Sequence, residues 1–216
     1  MQTTTIIRNS VLALSLSLAS TCFADTVFLS SGANETKNNS NSATVDISSN
    51  PAWGAAFAGT SWISNVQSGN PSSPGYISPA NGTSVTFTDT FTINGTPILG
   101  SLIVMADDTA SVSLNGVLLT GAAPTANNTY AHCSDFTIGC TSNTTGGFNL
   151  LSNLHSGTNT LSFTVYQLAG TSFGLDYSGV VSSTSTSAAP EPATLALLGL
   201  PLALFGLMRG RRKAKA

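Results

Sequence analysis

The chain has 216 residues, of which only 7% are charged, and its seven Lys and Arg are placed unevenly. Arg8 lies near the N-terminus, and five of the basic residues lie in the last eight residues of the chain. Residues 25–187 therefore contain one basic residue, Lys37, and eight acidic residues, which gives this region a net charge of −7. Nucleic-acid binding requires cationic groups that neutralise phosphates, and this composition excludes it. The same region is long enough for one domain with its own core.

The first 24 residues predict a secretory signal peptide. Arg8 lies in a short polar stretch, residues 11–19 are apolar, and Cys22-Phe23-Ala24 has the small residues that precede cleavage. We expect cleavage after Ala24, with the Sec translocon and signal peptidase as partners. Cys22 leaves lipidation open as an alternative, although Thr21 before it fits poorly.

Residues 25–181 are expected to form the exported domain, and residues 182–189 a Ser/Thr-rich linker. Helical periodicity is missing from the domain, whereas two-residue alternation recurs. The first half predicts strands at residues 26–29 and 44–47. Beyond them lie aromatic residues among Gly, Pro and Ser that are expected to cover one end of a core: Trp53, Trp62 and Tyr76.

Alternation is clearer in the second half of the domain. Asn115-Gly116 lies between alternating apolar runs, the strongest short signal for a hairpin, because a type I′ turn needs positive φ at both central residues. Short strands separated by regular turn signals predict an all-β fold, an antiparallel β-sandwich. The strands are expected within residues 85–93, 101–106, 112–114, 117–119, 161–165 and 175–181.

Four segments together resemble the galactose-binding-like jelly roll of exported bacterial proteins. They read Ala-Asp-Asp at residues 106–108, Leu-Asn-Gly at 114–116, Gly-Thr-Asn-Thr-Leu at 157–161 and Gly-Leu at 174–175. The resemblance covers roughly residues 62–181. It implies a scaffold that mostly binds sugars or packs against neighbouring domains, and fold alone does not establish function.

Two cysteines remain after export. In an oxidising compartment Cys133 and Cys140 are expected to form a disulfide that closes the loop of residues 134–139, worth about 2–3 kcal/mol on the chain-entropy estimate. The alternative is a metal site with His132, which lacks a fourth ligand nearby.

Adjacent carboxylates at Asp107 and Asp108 would face opposite ways in a strand and could not act together as acid and base. In a loop they could bind Ca²⁺, with Asp89 or Asp176 completing the site, and Ca²⁺ is the one cofactor that the sequence suggests. The alternative is that one Asp accepts backbone N–H groups in the turn before Val112.

Aromatic side chains near Asn and Asp could stack on a sugar. The candidates are Trp53, Trp62, Tyr76 and Tyr130. The alternative is that they belong to the core or to a lid over it, because Trp and Tyr are highly buried on average.

Residues 170–174 match the nucleophile-elbow pattern around Ser172. That motif needs a following helix and a downstream His, but His132 and His155 both precede Ser172, and the residues after it alternate like a strand. We therefore expect no enzyme, and a hydrolase that uses Ser172 is a remote alternative.

The last 27 residues have three parts: Pro190-Glu191-Pro192, the uncharged residues 193–208, and a basic end. As a helix, the apolar part would be roughly 24 Å long, short of a hydrocarbon core of about 30 Å. The basic residues would hold its end on the cytoplasmic side, so the domain faces outward. They include Arg209, Arg211, Arg212 and Lys213.

This layout closely resembles the PEP-CTERM sorting signal of Gram-negative bacteria that make exopolysaccharide. The resemblance implies processing by an exosortase, a membrane enzyme, at or near residues 190–192, and passage through the inner membrane to the cell surface or matrix. The alternative is an ordinary C-terminal membrane anchor.

Together these patterns predict an exported, non-enzymatic structural protein of the cell surface or of an exopolysaccharide biofilm matrix. The principal alternative is a carbohydrate-binding module of the cell surface. Glycan binding by the purified domain separates the two, because a purely structural protein need bind no sugar.

Overall fold

The computed structural model describes residues 23–38, 42–119, 138–168 and 171–185. Residues 1–22 of the predicted signal peptide lie outside these ranges, whereas its last two residues, Phe23 and Ala24, belong to the first strand of the domain. The sorting motif with its basic tail also lies outside the described ranges, as do Tyr130, His132 and Cys133. The predicted disulfide therefore stays a prediction, and Cys140, its described member, is buried.

The described chain is all-β, and its strands pair antiparallel in two sheets, which confirms the predicted antiparallel β-sandwich. The larger sheet contains β1, β2, β3, β5, β8 and β10, and the smaller has the order β4-β9-β6-β7. The strands are β1 Phe23–Ser30, β2 Val45–Asp46, β3 Ile63–Ser64, β4 Ser84–Ile93, β5 Thr96–Asp107, β6 Thr109–Leu114, β7 Val117–Leu118, β8 Gly146–Asn149, β9 Gly157–Tyr166 and β10 Gly174–Ser185.

Strand β10 organises the larger sheet. On one side it pairs with β5 along its whole length, from Gly174 opposite Asp107 to Thr184 opposite Thr96. On its other side β1 and β3 lie end to end, with β3 meeting it at Leu175. The pairing of β1 runs from Phe23 opposite Ser185 to Ser30 opposite Ser178, so β10 continues four residues into the predicted linker.

The main core lies between the two sheets and follows from the predicted alternation. In β9 every second residue from Asn159 to Val165 is buried, as the period of two requires. Phe163 of the smaller sheet stacks on Tyr177 of the larger one, with ring centroids 4.4 Å apart. This aromatic pair therefore joins the sheets at the centre of the domain.

The predicted hairpin at Asn115-Gly116 is confirmed. It joins β6 to β7, and φ is 53° at Asn115 and 80° at Gly116, as a type I′ turn requires. The Asn115 side chain adds hydrogen bonds to Asn153 and Asn159, so the turn is also held to β9 and to the segment before it.

Some elements differ from the sequence prediction. Strands β3 and β8 and two short 3-10 helices, Ser142–Thr144 and Leu151–Asn153, were not expected. The predicted flanking helices fall outside the described residues, and within those residues no helix has the length and apolar character needed to cross a bilayer.

Candidate functional site

Two of the four predicted sugar-contacting aromatics lie in a second core cluster. Trp53 and Trp62 are 8% and 3% exposed, their ring centroids are 4.3 Å apart, and they pack with Ile47, Met105 and Cys140. The structure thus matches the core alternative for both. Tyr76 is partly exposed with its hydroxyl buried and unpartnered, and Tyr130 lies outside the described residues.

Asp107 and Asp108 sit where the chain leaves the larger sheet for the smaller one, and both are buried. Asp107 Oδ2 accepts a 2.7 Å hydrogen bond from Trp53 Nε1, and Asp108 Oδ2 accepts one from the backbone N–H of Leu168. The alternative to a calcium site is that one Asp accepts backbone N–H groups in the turn before Val112. Asp108 does accept a backbone N–H group, but the donor, Leu168, lies just after β9 and not in that turn.

The two carboxyl groups also interact, which two neighbouring residues of one regular strand would not do. Burial, and then the charge of Asp108 and a hydrogen bond with it, raises the pKa of Asp107 to about 8, while the bond from Trp53 opposes the rise. The reason is that only Asp107 belongs to a strand, so strict alternation does not separate its side chain from that of Asp108.

The two residues expected to complete a calcium site are engaged elsewhere. Asp176 accepts hydrogen bonds from Ser31 Oγ at 2.8 Å, Thr60 Oγ1 at 2.5 Å and the Phe57 backbone at 2.9 Å. Asp89 contacts Tyr177. Across the described ranges no group of three or more His, Cys, Asp or Glu is placed to hold a metal ion, and calcium at Asp107 and Asp108 stays a prediction.

Ser172 does not stand on a nucleophile elbow. Its side chain is 4% exposed, and its hydroxyl accepts a 2.8 Å hydrogen bond from Asn50 Nδ2. Strand β10 begins two residues later, where the motif would require a helix. His155 instead contacts the backbone oxygen of Ser156.

A groove of about 300 Å³ opens where the edge strand β1 passes the edge strand β4. Its walls combine apolar rings with hydroxyl and carboxyl groups that come from two separate parts of the chain. The lining residues are Phe28, Leu29, Ser30, Glu35, Asp89, Thr90 and Phe91. We call this the β1–β4 groove.

Phe28 is the most exposed apolar side chain of the described chain, at 79%, whereas its neighbour Leu29 is 2% exposed. The difference follows from the strand geometry, since successive side chains point to opposite faces. Leu29 and Phe91 line the β1–β4 groove and also belong to the main core, whereas Phe28 lines the groove as an exposed side chain. The groove thus offers an accessible aromatic ring on a rigid support.

The carboxyl groups of the groove are held by hydroxyl donors. Ser30 Oγ donates to Glu35 Oε2 at 3.1 Å, and Tyr177 Oη donates to Asp89 Oδ2 at 3.1 Å from within the core. The Tyr177 hydroxyl also contacts Thr36 Oγ1 at 2.5 Å. Burial raises the pKa of Asp89, while the hydrogen bond from Tyr177 opposes the rise.

This arrangement can hold a polar ligand with flat apolar faces. The ring of Phe28 offers a surface for C–H groups, and the carboxyl and hydroxyl oxygens of Glu35, Ser30 and Thr90 can accept or donate hydrogen bonds. Sequence reasoning missed Phe28 and Glu35. The sequence does carry a signal for Phe28. In a strand, Phe28 shares one face with the polar residues Thr26 and Ser30, which indicates an aromatic ring on the solvent-facing side.

No protein-family model matches the chain, and no curated protein matches it. Among solved structures it is similar to an α-L-rhamnosidase of Streptomyces avermitilis complexed with L-rhamnose. The identity is 22% and the TM-score 0.39, over 64% of this chain but only 12% of that enzyme.

The chain is also similar to two carbohydrate-binding modules of family 35. The module of Clostridium thermocellum matches at 12% identity and a TM-score of 0.38, and that of Paenibacillus barcinonensis at 14% and 0.35. Each match covers 71% of this chain and 97% of the module. At such low identities and TM-scores these likenesses establish neither a ligand nor an activity for this chain.

Proposed function

We propose that the sandwich is a non-catalytic carbohydrate-binding module, of galactose-binding-like jelly-roll type, in an exported cell-surface or matrix protein. The observation that carries this proposal is the β1–β4 groove, in which the exposed ring of Phe28 stands beside the carboxyl and hydroxyl groups of Glu35, Ser30 and Thr90. Saccharides present both apolar C–H faces and hydroxyl groups, and the groove offers a partner for each.

The exposure of Phe28 supports a binding role. Burying a Phe side chain is worth about 1.5–3 kcal/mol, so a ring left 79% exposed forgoes most of this stabilisation. A ligand that covers the ring recovers part of it. The polar groups around the ring then determine which ligand fits, as in most small-molecule sites.

The test is glycan binding by the mature protein purified after export. A glycan array identifies the ligand, and titration calorimetry compares the wild type with Phe28→Ala and the matched control Leu118→Ala, which truncates an apolar side chain that is 58% exposed outside the groove. We expect Phe28→Ala to weaken binding about ten-fold, and Leu118→Ala to leave it unchanged.

Equal binding by wild type and Phe28→Ala would overturn the β1–β4 groove as the site. Failure of the wild type to bind any glycan would overturn the carbohydrate-binding proposal itself. Thermal melting of each variant confirms that it is folded, so that loss of binding is assigned to the groove.

The route to the surface is a second part of the proposal. Residues 190–192, the apolar residues 193–208 and the basic end act as a signal that an exosortase processes, after a signal peptidase has removed residues 1–24. Intact mass of the exported protein tests both cleavages. We expect Glu191→Ala to abolish the C-terminal cleavage and Thr194→Ala to leave it intact, and identical masses for wild type and Glu191→Ala would refute the role of the motif.

Exposed apolar residues of β5 favour a second candidate, a structural matrix protein that packs against other molecules. Ile98, Leu99 and Ile103 are 40–50% exposed, and apolar surface of this kind suits contacts between proteins. A protein that binds no glycan, but whose deletion changes cell aggregation, would support this candidate over the first.

A further inference from the structure

The β1–β4 groove carries more negative than positive charge. Glu35 and Asp89 both line it, from separate segments of the chain, and Glu35 is exposed to solvent. The two groups lie close enough that the charge of Glu35 adds to the rise in the pKa of Asp89. A ligand that brings a positive charge between them therefore relieves a repulsion that the folded domain otherwise retains.

Lys37 is the cation nearest to these carboxylates along the chain. Its backbone pairs with Thr88, the residue before Asp89, and it follows Glu35 by two positions. Lys37 is exposed and does not line the groove. Two carboxylates and one lysine leave this part of the surface with a net charge of −1, in a domain whose sequence carries −7.

We infer that the β1–β4 groove prefers amino sugars with a free, protonated amine, and disfavours sugars that carry carboxylate or sulfate groups. This inference rests on the proposed carbohydrate-binding function and names its ligand class. An ammonium group donates hydrogen bonds to carboxylates and gains Coulomb energy from them, whereas a uronate meets like charges at the site and across the domain.

The neighbouring hydroxyls suit the same ligand. Ser30 Oγ already donates to Glu35 Oε2 and fixes the position of that carboxylate, and Tyr177 does the same for Asp89. Carboxylates held in this way lose less side-chain freedom when a cation binds. Phe28, which also lines the groove, adds an exposed ring near which a cation is also favoured.

The experiment compares hexamers of glucosamine, N-acetylglucosamine and galacturonic acid in titrations of the mature protein. A low-salt buffer just below neutral pH keeps part of the glucosamine amines protonated and avoids the more acidic conditions that would favour the neutral form of Asp89, whose pKa is raised by burial. We expect the glucosamine hexamer to bind most tightly, the galacturonic acid hexamer most weakly, and added salt to weaken the first of these selectively.

Three variants test the origin of the preference. Glu35→Gln should weaken glucosamine binding about two- to five-fold more than it weakens N-acetylglucosamine binding, because only the charged amine loses an ion pair. Asp46→Asn removes the charge of an exposed acidic residue outside the groove and keeps an oxygen that accepts from Ala33, so it should change neither. Lys37→Gln should strengthen glucosamine binding, since it removes a competing cation.

The outcomes separate this inference from the proposal on which it rests. Equal binding of the three hexamers, or stronger binding of the acidic one, overturns the amino-sugar preference and leaves a carbohydrate-binding module in place. Binding of none of them, together with no hit on a glycan array, overturns the carbohydrate-binding proposal itself. A preference for glucosamine that survives Glu35→Gln unchanged places its origin outside this groove and also refutes the inference.

Discussion

The indole Nε1 of Trp53 donates a 2.7 Å hydrogen bond to Oδ2 of Asp107, although the two residues are 54 positions apart. The bond joins the loop after β2 to the end of β5, and both partners are buried. It therefore ties the irregular first half of the domain to the regular second half.

We expect Trp53→Phe to lower the free energy of unfolding by about 1–3 kcal/mol, because it leaves a buried carboxyl group without this donor. Trp62→Phe is the comparison: its Nε1 donates to the Gly54 carbonyl at 3.1 Å, and we expect a loss of only about 0.5–1.5 kcal/mol. Urea denaturation measures both. A larger loss of unfolding free energy in Trp62→Phe than in Trp53→Phe would show that the hydrogen bond to Asp107 contributes less to stability than the one to Gly54.

The pKa of Asp107 predicts an unusual pH dependence of stability. Burial, followed by the charge of Asp108, raises it from 3.8 to about 8. Between about pH 4 and pH 8 the folded state retains a proton that the unfolded state has released, so the free energy of unfolding falls as the pH rises through this window.

Asp107→Asn should make this decline shallower, and urea denaturation at a series of pH values measures it. The decline should not vanish, because burial also raises the pKa values of Asp89 and Asp176. Asp46→Asn is the control, since that residue is exposed. An unchanged slope in Asp107→Asn would refute the role assigned to this carboxyl group.

The Tyr177 hydroxyl links the core to the β1–β4 groove. Tyr177→Phe removes its contacts with Asp89 Oδ2 and Thr36 Oγ1, and we expect a loss of about 1–3 kcal/mol in the free energy of unfolding. Tyr166→Phe removes a partly exposed hydroxyl that contacts Ser111 at 3.3 Å, and its effect should stay within about 0.5 kcal/mol. Equal losses in chemical denaturation would contradict this difference.

Replacing Asn115 in the hairpin turn is expected to destabilise the domain. Asn115→Ala removes side-chain bonds to Asn153, Asn159 and Thr160 and places alanine at a φ of 53°. We expect a loss of about 2–4 kcal/mol in the free energy of unfolding. Val117→Ala changes an exposed residue of the same hairpin and should cost under about 0.5 kcal/mol, so similar melting temperatures for the two variants would contradict the prediction.

Metal removal tests the calcium prediction at Asp107 and Asp108. The contacts of these carboxyl groups with Trp53 and Leu168 already occupy one oxygen of each, so we expect EDTA to leave the melting temperature unchanged. A fall in melting temperature with EDTA that calcium reverses, and that Asp108→Asn abolishes, would instead establish a metal site.

The sequence predicts the regular part of this fold well, because burial on one face imposes a period of two. In β4 the alternation of apolar residues gives the strand, its inward face and nearly its ends. In β9 it gives the strand and its inward face, but the predicted residues 161–165 leave out the first four residues of the strand. The Asn115-Gly116 turn is equally clear, since few residues tolerate positive φ.

The sequence carries no local pattern that would predict the remaining strands. Strand β8 contains Gly146 and Gly147, which read as a turn, and β3 is too short to alternate. Composition likewise does not reveal whether Trp53 stacks on a ligand or on Trp62. The β1–β4 groove is still harder to predict, because it exists only when Phe28 and Asp89 meet across two sheet edges.

The pairing of Asp25 with Ser183 sets an order for assembly. Three strands, β1, β3 and β5, need β10 as a neighbour, and β10 is the last of the ten to be synthesised. Because the chain is synthesised from its N-terminus, β1 stays unpaired until residues 174–185 have been made. Once they do, the first and last strands of the domain are direct neighbours, one strand spacing apart, about 4.8 Å.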